Sequence, residues 1–211
     1  MKIFGSKRMF WIVVIVIALI IIIFLLTHKR RWRRKLADLA LAEHANWNFG
    51  QTKESSSAMR TELSKYWRAA GAPDYGSSQA WSAAFISWLF NSSGAKQKFP
   101  YSASHSTYIR DAIANRKSGK RSGALIGYRP EEKPVRIGDL VCYPRQSGVT
   151  YDSDYTYKSH CDIVVDIDRR NNRVVTIGGN VSNSVSKTYY DIDSNGRVIT
   201  PKVHAILKNK I

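Results

Sequence analysis

Ser77-Ser78-Gln79-Ala80-Trp81-Ser82-Ala83-Ala84-Phe85-Ile86-Ser87-Trp88-Leu89-Phe90 is the stretch whose reading decides the fold. Trp81, Phe85, Trp88 and Leu89 recur at helical spacing and form a heavy apolar stripe, so a buried helix is expected. Ser77 or Ser78 offers a hydroxyl to cap its start. Asn91-Ser92-Ser93-Gly94 supplies the stop, because Gly94 is free to turn left-handed. Ser82 falls in the first turn, where the helix macrodipole favours negative charge on a side chain.

Upstream, Leu36, Leu39, Ala40, Glu43 and Trp47 recur at three and four within a helix expected over Trp32 to Trp47, which polar Gln51 to Ser57 ends. A second helix, Glu62 to Ala70, closes at Gly71-Ala72-Pro73, since Pro73 biases Ala72 to extended backbone. Downstream, Ser104 caps a helix from His105 to Asn115, and the basic connector Lys117 to Pro134 matches no element. Past Val135 the period changes. Asp139 to Tyr143, Cys161 to Ile167, Arg173 to Ile177, Ser186 to Tyr190 and Val203 to Leu207 are short and β-branched or aromatic, like strands. Arg170-Asn171-Asn172 and Ser194-Asn195-Gly196 carry hairpin-turn chemistry. Helices first and an antiparallel meander second make the fold class α+β.

Before all of this, Met9 to Leu26 is an unbroken run of 18 apolar residues. At ~1.5 Å per residue it nearly spans a ~30 Å hydrocarbon core. No small-residue cleavage site follows directly, so an uncleaved anchor is expected. The chain then divides into a basic start (1–8), an anchor (9–27), a basic juxtamembrane segment (28–38) and one domain (39–211). Of the net charge of +17, Lys2, Lys7, Arg8, Lys29, Arg30, Arg31, Arg33, Arg34 and Lys35 flank the anchor with no acid among them. That half suits anionic headgroups, and the rest suits an anionic cell-wall polymer as well as nucleic acid. No zinc finger, P-loop or basic-aromatic repeat favours specific nucleic-acid binding. More basic residues follow the apolar run than precede it, which points the domain toward the cytoplasm. Cys142 and Cys161 are too few for a disulfide scaffold or a structural zinc site, and read as buried thiols, with cross-strand pairing open in an extracytoplasmic domain.

Trp81-Ser82-Ala83-Ala84-Phe85-Ile86-Ser87-Trp88 resembles the Trp-Cys-Ala-x-Phe-Val-x-Trp helix of the CHAP and NlpC-type cell-wall amidases and peptidases, with Ser82 in the place of their cysteine. Ile137-Gly138-Asp139-Leu140-Val141-Cys142, His160-Cys161-Asp162-Ile163-Val164-Val165 and Ile177-Gly178-Gly179-Asn180-Val181 follow in that family's order. From about residue 40 the chain more closely resembles an uncharacterised bacterial family with a serine-substituted core of this type. The resemblance implies a papain-like domain outside the inner membrane that hydrolyses an amide or peptide bond in peptidoglycan, without metal or cofactor. In it Ser82 would be nucleophile, His160 base and then acid, and Asn180 the group orienting His160. Trp81 is a further candidate substrate contact. His105, at another helix start, reads either as lining the same groove or as solvated. Tyr143 and Arg145, ending the Gly-Asp strand, read either as contacts for substrate carboxylates or, for the arginine, as a surface residue. A hydroxyl is far less acidic than a thiol, so Ser82 would need concerted proton transfer to His160 and an oxyanion hole, with Gln79 a candidate donor. Ser82 also reads as a small packing residue, Asn180 as a turn residue and Asp162 as a structural hydrogen-bond partner. Two other functions fit: a wall-binding pseudoenzyme, and a cytosol-facing basic adaptor for acidic partners.

Overall fold

The computed structural model describes residues 3–120 and 122–211 and divides the chain into two units, residues 1–32 and 33–211. The first is the leading part of helix α1 (Ile3–Asn46). Its apolar side chains from Met9 to Leu26 face outward, so this helix is long and apolar enough to cross a membrane.

The second unit is an α+β domain. The last turns of α1 bury Leu36, Ala37, Ala40 and Glu43, as their spacing predicts. Helices α2 (Arg60–Ala69), α3 (Ser82–Ser93) and α4 (His105–Lys117) follow. They are accompanied by strands β1 (Leu125–Tyr128), β2 (Leu140–Pro144), β3 (Ser159–Asp168), β4 (Arg173–Val181), β5 (Ser184–Asp191) and β6 (Ala205–Asn209). One antiparallel sheet has the order β1-β6-β2-β3-β4-β5. The expected meander therefore holds for β2 to β5 only. The connector left unassigned contains β1, and β6 returns to lie between β1 and β2. Non-adjacent pairing of this kind leaves no local periodic signal.

Helix α3 ends as expected, with Gly94 left-handed at φ 91°. Its start differs. Trp81 occupies the cap position without a side-chain capping bond, and Ser78 Oγ donates to Tyr75 O within the preceding turn. Trp81 is fully buried, stacked on Trp47 at 5.1 Å and Tyr66 at 5.5 Å, with Nε1 donating to Glu54 Oε2 at 2.6 Å. It joins α1, α2 and α3 in one aromatic core and is unavailable as a substrate contact, because burial of the indole satisfies both its apolar face and its N–H.

The Gly138-Asp139 motif is also a packing device. Gly138 has φ 85°, and any Cβ there would crowd the backbone of Arg33. The fully buried Asp139 accepts from Arg136 N at 2.7 Å, Asn209 N at 3.0 Å and Lys208 Nζ, tying the start of β2 to β6. Burial raises the Asp139 pKa against the pull of Lys208 and the two amides.

Cys142 and Cys161 sit opposite each other on β2 and β3 and form a disulfide. The reading as free thiols is thereby corrected. Register, which a cysteine count does not carry, places the two on one face of adjacent strands. Opening this bridge, whose cysteines lie 19 residues apart, is expected to cost about 3 kcal/mol of stability. The check is the urea midpoint of the full-length protein with and without reductant: a midpoint unmoved by reduction would show that the bridge contributes nothing.

Candidate active site

Two helix starts meet at one place. Ser82 opens α3 and His105 opens α4. Their approach is set by Ser87, one of the residues whose role no sequence motif marks. Its hydroxyl donates to Ser102 O at 2.9 Å and accepts from Ser102 N at 3.1 Å, clamping the loop before α4 onto the middle of α3. Phe99 adds to the clamp by stacking on Phe90 at 4.1 Å. Ser102 Oγ then accepts from Ser104 N, and α4 begins.

As a result His105 Nε2 lies 2.7 Å from Ser82 Oγ, and its Nδ1 is bonded to the Tyr108 hydroxyl. The imidazole that meets Ser82 is thus His105. The expected partner, His160, belongs to a second chain of bonds beside it, with the two rings 5.2 Å apart. In that chain Arg145 Nη2 donates to His160 Nδ1 at 3.0 Å, and His160 Nε2 donates to Asp162 Oδ1 at 2.7 Å. Tyr190 OH donates to Asp162 Oδ2 at 2.5 Å. Because arginine only donates, the Arg145 bond fixes His160 as the tautomer with its proton on Nε2.

Asn180 does not orient His160 in this arrangement, since both ring nitrogens have other partners. It stands in a left-handed conformation, φ 55°, at the β4 bulge. Asp162 takes the role expected of Asn180, for a simple reason: residues two apart on a strand share a face. The alternation His160, Asp162 carried that signal in the sequence. The glycines before Asn180 serve close approach. A Cβ on Gly178 would overlap Asp162 Oδ1 and lie 2.9 Å from His160 Nε2. A Cβ on Gly179 would lie 2.5 Å from Phe85 Cβ and 2.8 Å from Trp81 Cζ3.

Ser82, His105 and Arg145 line a pocket of about 630 Å³, together with Ala80, Ser104, Gln146, Tyr157, Lys158 and Ser159. Ser82 is only 3% exposed and His105 4%, so little more than their edges reach the pocket. Tyr143 is half-buried, with its ring 5.3 Å from His160 and Lys202 Nζ 4.3 Å from the same ring. It supports His160 from the sheet, outside the residues lining the pocket. Gln79 is exposed and is likewise absent from that lining.

Burial first, and then the positive charge of the nearby Arg145, push the His105 pKa well below the usual imidazole value. His105 is therefore neutral at neutral pH and competent as a base. Burial and the Asp162 charge push the Tyr108 phenol well up, so it stays protonated. When His105 Nε2 accepts from Ser82, its Nδ1–H donates to the Tyr108 oxygen. Among the described residues no group of three or more His, Cys, Asp or Glu could hold a metal ion.

The model of a family described as an uncharacterised protein conserved in bacteria (DUF2272) matches residues 41–210, from the last turn of α1 through β6. The chain belongs to that family. No curated protein and no solved structure gives a match. Within the DUF2272 region lie Ser82, His105, Arg145, His160 and Asp162, so the site falls wholly inside the family's span.

The depressed His105 pKa has a consequence for stability. Between the folded and unfolded values the unfolded chain binds the extra proton, so stability is full above the ordinary imidazole pKa of about 6.5 and falls as pH drops below it. Thermal unfolding from pH 8 to pH 5 should show this loss, and His105→Gln should flatten it. A variant with the same pH slope as the parent would place the titration elsewhere, with His204, whose pKa is also lowered by burial, the next candidate.

Proposed function

We propose that this DUF2272 domain is a membrane-anchored serine hydrolase that cuts an amide or peptide bond in peptidoglycan. One observation carries the reading: the hydroxyl at the head of α3 is 2.7 Å from a neutral, buried imidazole on the wall of an open pocket. In the reaction Ser82 Oγ attacks the carbonyl carbon as its proton passes to His105 Nε2, and Tyr108 accepts from Nδ1–H to hold the ring. The oxyanion forms at the first turn of α3, which no side chain caps and whose leading amides have no helical partner. His105 then gives its proton to the departing amine. Water, deprotonated by the same ring, releases the acyl group from Ser82.

A tyrosine in the third position stabilises the imidazolium less than a carboxylate would. The Cys142–Cys161 disulfide supports a domain on the oxidising side of the membrane, against the count of flanking basic residues. It also weakens the reading as a cytosolic adaptor. One observation favours the alternative of a wall-binding pseudoenzyme: both ring nitrogens of the fully buried His160 are already engaged, by Arg145 and by Asp162.

Soluble products released from purified cell wall by the full-length protein decide between the two. Ser82→Ala and His105→Ala should each lower the rate at least about 10³-fold with unfolding midpoints near that of the parent. The acid limb of the pH–rate profile should lie below the ordinary imidazole pKa of about 6.5, because the base resists protonation. Undiminished hydrolysis by Ser82→Ala would end the assignment, and binding without products would favour the silent module. A reporter joined after Ile211 that works only in the cytoplasm would remove the wall substrate altogether.

A further inference from the structure

The pocket beside Ser82 has a charge pattern that the reaction itself does not require. Its lining carries two cations, Arg145 and Lys158, and no aspartate or glutamate. The backbone holds both in place. Arg145 N donates to Lys158 O at 2.8 Å, and Lys158 N donates to Gln146 Oε1 at 2.9 Å, extending the β2–β3 pairing beyond the strand ends. Three arginines elsewhere in the domain are neutralised by a carboxylate, Arg116 by Glu132, Arg129 by Asp152 and Arg173 by Asp168. Among the described residues Arg145 and Lys158 have none. The guanidinium of Arg145 is instead engaged by a neutral imidazole nitrogen, a weaker acceptor than an ionised carboxylate. The nearest carboxylate along this chain, Asp162, is already shared by His160 and Tyr190.

We infer that Arg145, assisted by Lys158, is a specificity residue that binds a carboxylate of the ligand beside the bond to be cut. Cleavage beside that carboxylate rests on the hydrolase proposed above, but the anion subsite stands without it. A planar guanidinium can hold a carboxylate with two parallel N–H···O bonds, and an uncharged amide cannot match that pairing. A carboxylate seated there also competes with His160 for Arg145. A carboxylate drawing on the same guanidinium therefore alters the bond that Arg145 makes to His160 Nδ1. An uncharged ligand leaves the Arg145–His160 bond intact.

The test uses the full-length protein in detergent micelles and short peptides ending either in a free carboxylate or in a carboxamide. By calorimetry the carboxylate peptide should bind at least about tenfold more tightly. Arg145→Gln should bring the two to within about twofold, and Lys158→Gln should lower the ratio without abolishing it. The nitrogen resonance of His160 Nδ1 should shift on saturation with the carboxylate peptide and stay in place with the carboxamide. Equal binding of the two peptides, binding by neither, or a preference that survives in Arg145→Gln overturns the inference. Ser82→Ala separates the two readings. A preference retained by that variant supports the subsite even if no peptide is ever cleaved, and its loss there overturns a subsite built on Arg145.

Discussion

The seating of α3 on β4 is the constraint from which the site follows. Gly179 leaves no room for even a methyl group between the β4 backbone and the rings of Phe85 and Trp81. That close approach drives Trp81 into the stack with Trp47 and Tyr66, which joins three helices around one aromatic centre. With its axis fixed in this way, α3 presents its first turn, and Ser82 with it, to the pocket. Its middle receives the Ser87 clamp that sets where α4 begins. Interiors packed at this density transmit small displacements, so the geometry at Ser82 depends on residues far from the chemistry.

Two histidines with rings 5.2 Å apart have been given opposite environments. His105 is held between two hydroxyls, and burial keeps it neutral. His160 lies between a guanidinium and a carboxylate, which fixes its proton on Nε2. Side by side, the two imidazoles differ in what each can accept: Nε2 of His105 faces the Ser82 hydroxyl, whereas both nitrogens of His160 are engaged by charged groups. A hydroxyl gains little from an ion-pairing environment of the kind that ionises a thiol, whereas it gains directly from a neutral base at hydrogen-bond distance.

Much of the domain's skeleton was legible in the residues. The period of Leu36, Ala40 and Glu43 announced a buried helix, Gly94 the stop of α3, and the Asn171-Asn172 turn a hairpin between β3 and β4. The order of helices before strands settled the α+β class. The apolar run from Met9 to Leu26 announced a helix able to cross a membrane. These signals are local, because each depends on propensity or on a period within about a dozen residues.

Pairings between distant segments were decided only by the tertiary structure. Sequence order offered Ser82 the histidine of a familiar motif, but it met the one at the head of α4, because the Ser87–Ser102 contact brings that helix start alongside. The joining of Cys142 to Cys161 and the return of β6 beside β1 depend likewise on strand register and order. The His160–Asp162 bond lay between these extremes. Alternation placed both residues on one face, yet only packing against Gly178, where a side chain would not fit, brought the two groups together. A chain's own period says which way a side chain points, and what it finds there is set by the rest of the fold.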